Sequence, residues 1–232
     1  MTTTLTSEPV AGLLRRLYED ARRSGEDFNR RMSELSASER AAMEHDSRAY
    51  YAAARTLYLA VSPETGRLLY TLVRARRARA VVEFGTSFGV SAISMAAALR
   101  DNPKPAAAAD GREPGLPRLI GSEYEPSKAE AARASLAEAG LGDLVEVRVG
   151  DALETLAPDT LPAPVDLLFL DGAKDRYLDV LKLVEPALAP DALIVADNAS
   201  RAPALLDHLR SSRDFLPVGG VQRDVEIALR SV

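Results

Sequence analysis

The chain has 232 residues and a formal net charge of −5, with no cysteine and only two histidines. This composition excludes disulfides, thiolate metal sites and cysteine nucleophiles, and it argues against a zinc site built from several histidines. The negative charge disfavours nucleic acid, and no apolar run is long enough to cross a bilayer. We therefore expect no nucleic-acid or membrane partner. Because the first residues lack a secretory signal, we expect a cytoplasmic location.

Residues 1–60 are predicted to form a helical extension. Apolar residues recur there at helical spacing, at Leu13, Leu14, Leu17, Tyr18 and Ala21. A second helix is expected from Glu39 to Ala54, because serines precede it. The segment from Tyr50 to Tyr58 favours a lid on the chain's own domain. The leucine stripe favours burial against a second subunit, so we expect a homodimer.

Residues 61–232 alternate between strand and helix patterns. A helix should begin at Ser62-Pro63-Glu64 and run to about Arg76. The predicted strands are 80–84, 119–122, 144–149, 165–170 and 192–196, and the helices between them are 90–100, 128–139, 176–188 and 203–210. The runs 215–218 and 224–229 predict a closing hairpin. The expected fold is a Rossmann-like α/β domain, with a mostly parallel seven-stranded sheet and a C-terminal antiparallel hairpin.

The end of the first predicted strand carries an acid and two glycines, in the order Glu83, Gly85 and Gly89. Glycine allows a sharp turn and a close approach of the backbone to a ligand. The amide groups at the start of the next helix suit a carboxylate or a phosphate. A tight turn without any ligand would explain the same glycines.

Two further strand ends carry acids. Glu123 follows the second strand, where a carboxylate can accept both hydroxyls of a ribose, although a solvated loop acid is the alternative. Asp151 follows the third strand and can meet an adenine amino group or simply cap the next helix. The NAD-binding pattern needs a middle glycine that is absent here, so S-adenosylmethionine is favoured over a dinucleotide.

The fourth and fifth strands end in oxygen-bearing side chains. Asp171 follows the fourth strand, and Asp197 and Asn198 follow the fifth. Carboxylate and amide oxygens are ligands that suit Mg²⁺ or Ca²⁺ rather than zinc. Lys174 should project into the same region, unless it reaches solvent from the start of its helix.

The combined motifs resemble those of the cation-dependent O-methyltransferases, the group that contains catechol and caffeoyl-CoA O-methyltransferases. The residues that carry the resemblance are Glu83-Phe84-Gly85-Thr86-Ser87-Phe88-Gly89-Val90-Ser91, Glu123-Tyr124-Glu125-Pro126, Gly150-Asp151-Ala152, Asp171-Gly172-Ala173-Lys174 and Asp197-Asn198. The resemblance covers roughly residue 62 to the C-terminus. It implies that residues 61–232 form an S-adenosylmethionine-binding methyltransferase domain.

The resemblance also implies roles for individual residues. The residues it assigns to the cofactor are Glu83, Gly85, Ser87, Ser91, Glu123, Tyr124, Asp151 and Asp171. Within this set, Gly85, Ser87 and Ser91 would contact the methionine portion, Glu123 the ribose, and Tyr124 and Asp151 the adenine. The residues it assigns to a divalent cation, expected to be Mg²⁺, are Asp171, Asp197 and Asn198. The residues it assigns to catalysis are Lys174, as general base, and Asp171.

The expected activity is methyl transfer from S-adenosylmethionine to a hydroxyl of a small molecule, such as a catechol, another phenol or a hydroxylated natural product. The alternatives are a metal-independent or nitrogen-directed methyltransferase and a non-catalytic protein that binds S-adenosylmethionine. The segment between Asn198 and Phe215 is short compared with that of the family, whose members often carry an additional substrate-binding loop there. The sequence also has no match for a further carboxylate that these members place on the acceptor side. The identity of the acceptor therefore stays open.

Overall fold

The computed structural model describes residues 2–36, 57–103, 117–219, 222 and 224–231. The helix expected from Glu39 to Ala54, and with it Tyr50 and Tyr51, lies outside the described residues. In the part that is described, the first long helix, α1, spans Val10–Glu34. No described helix is both long and apolar enough to cross a membrane.

The rest of the chain alternates between helices and strands, as the sequence predicts. The remaining helices are α2 (Pro63–Arg76), α3 (Val90–Asp101), α4 (Pro126–Glu138), α5 (Ala152–Thr155), α6 (Tyr177–Val184) and α7 (Pro203–Ser211). The strands are β1 (Ala80–Phe84), β2 (Arg118–Glu123), β3 (Val145–Val149), β4 (Val165–Leu170), β5 (Leu188–Ala196), β6 (Phe215–Pro217) and β7 (Glu226–Arg230). Short 3₁₀ turns span Thr4–Thr6, Pro158–Thr160, Lys174–Arg176, Glu185–Ala187 and Ala199–Arg201.

The strands form one seven-stranded sheet in the order β3-β2-β1-β4-β5-β7-β6. The first five strands pair in parallel, and β7 pairs antiparallel with both β5 and β6. The chain order reverses between β1 and β4, and the crevice outside the carboxyl ends of the strands at such a point is where sheets of this type bind ligands. The predicted Rossmann-like fold is confirmed.

Two predicted boundaries were wrong. The helix expected to reach residue 188 ends at Val184, because Pro186 cannot continue the α-helical hydrogen bonds and a 3₁₀ turn follows. Strand β5 then begins at Leu188, four residues earlier than predicted. The apolar pattern inside this strand is interrupted at Pro190 and at Asp191, which has a φ of 64°. The first half of the strand was therefore not predicted from the sequence.

Helix α1 packs against the chain's own sheet domain. Leu13, Leu14 and Leu17 are buried in the same apolar cluster as Leu69 of α2 and Ile93 of α3. The stripe that suggested a second subunit is therefore covered within one chain. A homodimer stays a prediction, but it is not needed to bury these leucines.

Candidate functional site

The loop between β1 and α3 turns sharply at Gly85, whose φ is 97°. A Cβ atom at Gly85 would lie 2.6 Å from the Gly172 backbone nitrogen and 2.7 Å from the Asp171 carbonyl. The loop after β1 and the loop after β4 therefore touch at a position where only glycine fits. This contact joins the two groups of site residues that the sequence singled out.

Glu83 is completely buried at the end of β1. Its Oε1 accepts a hydrogen bond from the Ser91 hydroxyl in the first turn of α3, with 2.5 Å between the two oxygens. Its Oε2 and the nearby Ser87 Oγ are buried and have no hydrogen-bond partner among the described residues. Burial raises the pKa of Glu83 to about 7, against the lowering effect of the Ser91 hydrogen bond.

Glu123 faces the same loop from the end of β2. Its Oε2 accepts a hydrogen bond from the Ser87 amide at 2.7 Å, and its Oε1 accepts one from the Glu125 amide at 2.9 Å. The ring of Tyr124 beside it is 74% exposed. Asp151, after β3, accepts a hydrogen bond from the Leu153 amide and so caps α5. The capping alternative for Asp151 is thus observed, and its role toward adenine stays a prediction.

Lys174 points into the site rather than to solvent. Its Nζ donates hydrogen bonds to Asp171 Oδ1 at 2.9 Å and to the Tyr177 hydroxyl at 2.7 Å. The Lys174 and Asp171 side chains are each only 13% exposed. Burial raises the pKa of Asp171 to about 7, opposed by the positive charge of Lys174 and increased by the negative charge of Asp197. The Lys174 side chain therefore already occupies one side of the Asp171 carboxyl group.

Asp197 and Asn198 lie beside Asp171 because β4 and β5 pair in register up to Leu170 and Ala196. The Asp197 amide donates to the Leu170 carbonyl at 3.0 Å, and Asn198 adopts a left-handed backbone with a φ of 51°. Burial raises the pKa of Asp197. Across the described ranges, no group of three or more His, Cys, Asp or Glu side chains is arranged to hold a metal. The candidate donor set is instead two carboxylates and one amide.

Two aromatic residues of the site, Tyr177 and Phe88, were not assigned a role from the sequence. The Tyr177 hydroxyl accepts from Lys174 and donates to the Asp197 carbonyl at 2.9 Å, so it links the two acidic loops. Phe88 stacks on Tyr58, with 3.6 Å between ring centroids, and the Lys128 ammonium lies 5.6 Å from the Phe88 centroid. Tyr58 thus packs on the loop after β1, and a lid formed by the segment from Tyr50 to Tyr58 stays a prediction. The sequence predicts a helix over 176–188, and a helical pattern gives no sign of the contacts of the Tyr177 hydroxyl.

The buried carboxyl of Glu83 predicts a stability that falls with pH. Its pKa in the folded protein is about 7 against an ordinary 4.5, so the folded state holds a proton that the unfolded chain releases earlier. The stability that this proton provides is present below pH 4.5 and is lost as pH rises toward 7. At pH 8, Glu83→Gln should be more stable than the wild type by about 2–3 kcal/mol, and at pH 4.5 the gain should vanish.

Urea unfolding of both proteins at the two pH values measures this difference. Glu130→Gln, at an exposed position of α4, is the matched control and should change stability little at either pH. A Glu83→Gln effect of the same size at both pH values would show that burial of the charge is not its cause.

A protein family and two relatives relate this chain to methyltransferases. Residues 82–199 match a protein family described as "Methyltransferase domain". The chain is 33% identical over 156 residues to a catechol O-methyltransferase of Niastella koreensis, covering 64% of this chain and 62% of the relative. It is 36% identical over 152 residues to a catechol O-methyltransferase of Mycobacterium tuberculosis, covering 64% and 60%. The chain thus spans less than two thirds of either relative's length.

Solved structures are similar over a larger part of the chain. The O-methyltransferase TomG from Streptomyces achromogenes, involved in tomaymycin synthesis and solved with SAM, is 31% identical with a TM-score of 0.61, covering 75% of this chain and 82% of TomG. Cofactor-bound Rv0187 from MTB is 25% identical with a TM-score of 0.65, covering 97% and 93%.

Proposed function

We propose that this chain, which belongs to the class I S-adenosylmethionine-dependent methyltransferase family, transfers a methyl group to a hydroxyl of a small molecule. The observation that carries the proposal is the contact of Gly85 with Asp171 and Gly172. It brings the loop after β1, which suits the amino-acid end of S-adenosylmethionine, next to Lys174 and the partly buried acids Asp171 and Asp197. The O-methyltransferase relatives support oxygen as the atom that is methylated.

The cofactor is S-adenosylmethionine, bound across the ends of β1, β2 and β3. The unpartnered Ser87 hydroxyl and the first amides of α3 fit the charged methionine end. Ser91, held by Glu83, lies at the same helix start. The Glu123 carboxylate would exchange its two backbone amides for the ribose hydroxyls, and the exposed Tyr124 ring is free to cover the adenine. When bound, this cofactor supplies an electrophilic methyl group on a sulfonium.

The chain's own residues prepare the acceptor oxygen. With its Nζ as the neutral amine, Lys174 would accept the proton of an acceptor hydroxyl beside it, while the hydroxyl oxygen takes the methyl group and S-adenosylhomocysteine is the leaving group. The Asp171 carboxylate, 2.9 Å away, stabilises the ammonium that forms. The Tyr177 hydroxyl holds the same nitrogen from the other side.

We propose that a divalent cation, Mg²⁺, assists the methyl transfer. The two carboxylates of Asp171 and Asp197 and the Asn198 amide fit its preference for oxygen, since Mg²⁺ commonly uses one or two carboxylates and keeps several waters. The raised pKa of both acids supports a site that would gain from a positive charge. When bound, the cation would polarise the acceptor hydroxyl and favour vicinal diols such as catechols. Residues 171, 197 and 198 would hold it.

A metal-independent reaction is the second candidate. It is favoured by the direct contact of Lys174 with Asp171, because the lysine nitrogen already lies beside one of the two acids proposed to hold the metal ion. In that case Lys174 alone would activate the hydroxyl, and monophenols would react as well as catechols.

A methyl-transfer screen tests both candidates. The purified protein would be incubated with methyl-labelled S-adenosylmethionine and matched acceptors, namely catechol, a monophenol, an aliphatic alcohol and an aromatic amine, with Mg²⁺ or with EDTA. We expect label on catechol with Mg²⁺ and its loss in EDTA. Equal transfer in EDTA would establish the metal-independent reaction, and transfer to the amine alone would contradict O-methylation.

A further inference from the structure

Asp224 has an unusual backbone for its residue type. It lies in the turn before β7 and adopts a left-handed conformation with a φ of 61°. Such a conformation is uncommon for residues other than glycine and costs free energy unless the surroundings impose it. Contacts made by Asp224 must therefore offset this cost.

The contacts of Asp224 all go to the turn that follows β5. Its carbonyl accepts the Ala199 amide at 2.9 Å. Its two carboxylate oxygens accept the Ser200 amide and the Ser200 hydroxyl, each at 2.7 Å. The residues so held come directly after Asp197 and Asn198. We call this set of three hydrogen bonds the Asp224 clamp.

Contacts from β4 and α6 hold Asp197, the first residue of this turn: its amide donates to the Leu170 carbonyl at 3.0 Å, and its carbonyl accepts from the Tyr177 hydroxyl at 2.9 Å. The pairing of β5 with β7 stops at Ala196 and Glu226, so Asp197 and Asn198 lie beyond the last paired residues. Asn198 is itself left-handed, and the 3₁₀ turn Ala199–Arg201 begins directly after it. A turn built from such conformations needs an external partner to keep one shape. Asp224, just before β7, provides such a partner for Ala199 and Ser200, the residues that follow Asn198.

The clamp contributes little to global stability. Asp224 and Ser200 are both exposed, and exposed hydrogen bonds of this kind add only about 1 kcal/mol or less. The left-handed backbone of an aspartate costs a similar amount. What the clamp does supply is a fixed orientation for the residues just before it.

We propose that Asp224 is a positioning residue that fixes the turn after β5, so that Asp197 and Asn198 present their oxygens to a divalent cation. This inference rests on the proposed metal-assisted function. It gives a positioning role to a residue of the closing hairpin. The proposed reaction does not otherwise use this part of the chain.

Two substitutions at this position form a matched pair. Asp224→Gly and Asp224→Asn both remove the negative charge, and both residue types tolerate a left-handed backbone. Asparagine keeps an oxygen for the Ser200 amide and a nitrogen that can donate to the Ser200 hydroxyl. Glycine keeps neither. The difference between the two variants therefore isolates the side-chain bonds of the clamp from charge and strain.

Binding of Mn²⁺, followed by electron paramagnetic resonance, measures the effect without catalysis. We expect Asp224→Gly to bind Mn²⁺ about tenfold or more weakly than the wild type, as when residues that orient metal ligands are removed. Asp224→Asn should stay within about threefold of the wild type. Calorimetry with S-adenosylhomocysteine should give the same affinity for all three proteins, because the cofactor crevice lies across β1 to β3.

The outcomes separate the clamp from the proposed function. Equal Mn²⁺ affinity in Asp224→Gly and the wild type overturns the clamp and leaves the metal proposal standing. Equal weakening in both variants assigns the effect to charge and also overturns the clamp. If the wild type binds S-adenosylhomocysteine but no Mn²⁺, the metal proposal and the clamp are both wrong, while the methyltransferase assignment is unaffected.

Discussion

Replacing Lys174 by methionine should lower kcat by about 10²–10⁴-fold, the range expected for loss of a general base. Methionine has a similar length but cannot accept the hydroxyl proton, and it leaves Asp171 without the ammonium that lies 2.9 Å from its Oδ1. The affinity for S-adenosylhomocysteine should change by no more than about threefold, because Lys174 serves the acceptor. Single-turnover methyl transfer and calorimetry measure the two quantities.

Two further variants define the role of this lysine. Lys174→Arg keeps a positive charge near Asp171 but cannot act as a base at ordinary pH, so it should be as slow as Lys174→Met. Full activity in Lys174→Arg would mean that the residue acts only through its charge. Lys182→Met, at an exposed position of α6, should leave kcat unchanged and controls for loss of a lysine in the helix that follows Lys174.

Asp197→Ala should lower kcat by about 10²-fold or more, since it removes one of two carboxylates proposed to hold the cation. S-adenosylhomocysteine should still bind, because Asp197 follows β5 and the cofactor crevice lies across β1 to β3. The residual activity should no longer respond to EDTA. The exposed Asp207 of α7 provides a matched control, and Asp207→Ala should behave as the wild type.

The same site predicts how metal affinity depends on pH. A ligating carboxylate must be ionised, and the Asp171 carboxyl has a pKa of about 7 in the free protein. The wild type should therefore bind Mn²⁺ more tightly at pH 8 than at pH 6. Activity that resists EDTA, together with full activity of Asp197→Ala, would contradict the metal site and support the metal-independent reaction.

Strands β1 and β4 could be predicted to the residue because each is an apolar run, rich in branched side chains, that ends at an acid or a glycine. These strand ends carry most of the candidate site. Parallel strands place such ends along one edge of the sheet, so the sequence also predicted that Glu83, Glu123 and Asp151 would lie along one edge.

The contacts between distant segments could not be predicted in the same way. The Asp224 clamp joins residues that are 24 positions apart, and neither hydrophobic period nor turn composition reports such a pair. Tyr177 fits a helical core pattern, which hides the hydrogen bonds of its hydroxyl. The leucine stripe of α1 shows that a face is buried but does not show whether the partner is the same chain.

The crevice between the Gly85 loop and Glu123 is the proposed binding site of S-adenosylmethionine. Glu123→Ala removes the only side chain proposed to accept both ribose hydroxyls, and it frees the Ser87 amide that Glu123 now binds at 2.7 Å. Glu123→Gln keeps one acceptor oxygen and should have an intermediate effect. Glu130→Ala, at an exposed position of α4, is the matched control.

Calorimetric titration of the wild type and these variants with S-adenosylhomocysteine is the most direct test. We predict one bound molecule per wild-type chain and a loss of about 2 kcal/mol, or about thirtyfold in Kd, for Glu123→Ala. Glu130→Ala should bind as the wild type does. Absence of binding by the wild type, or the same affinity in Glu123→Ala, would contradict the assignment of this crevice to the cofactor.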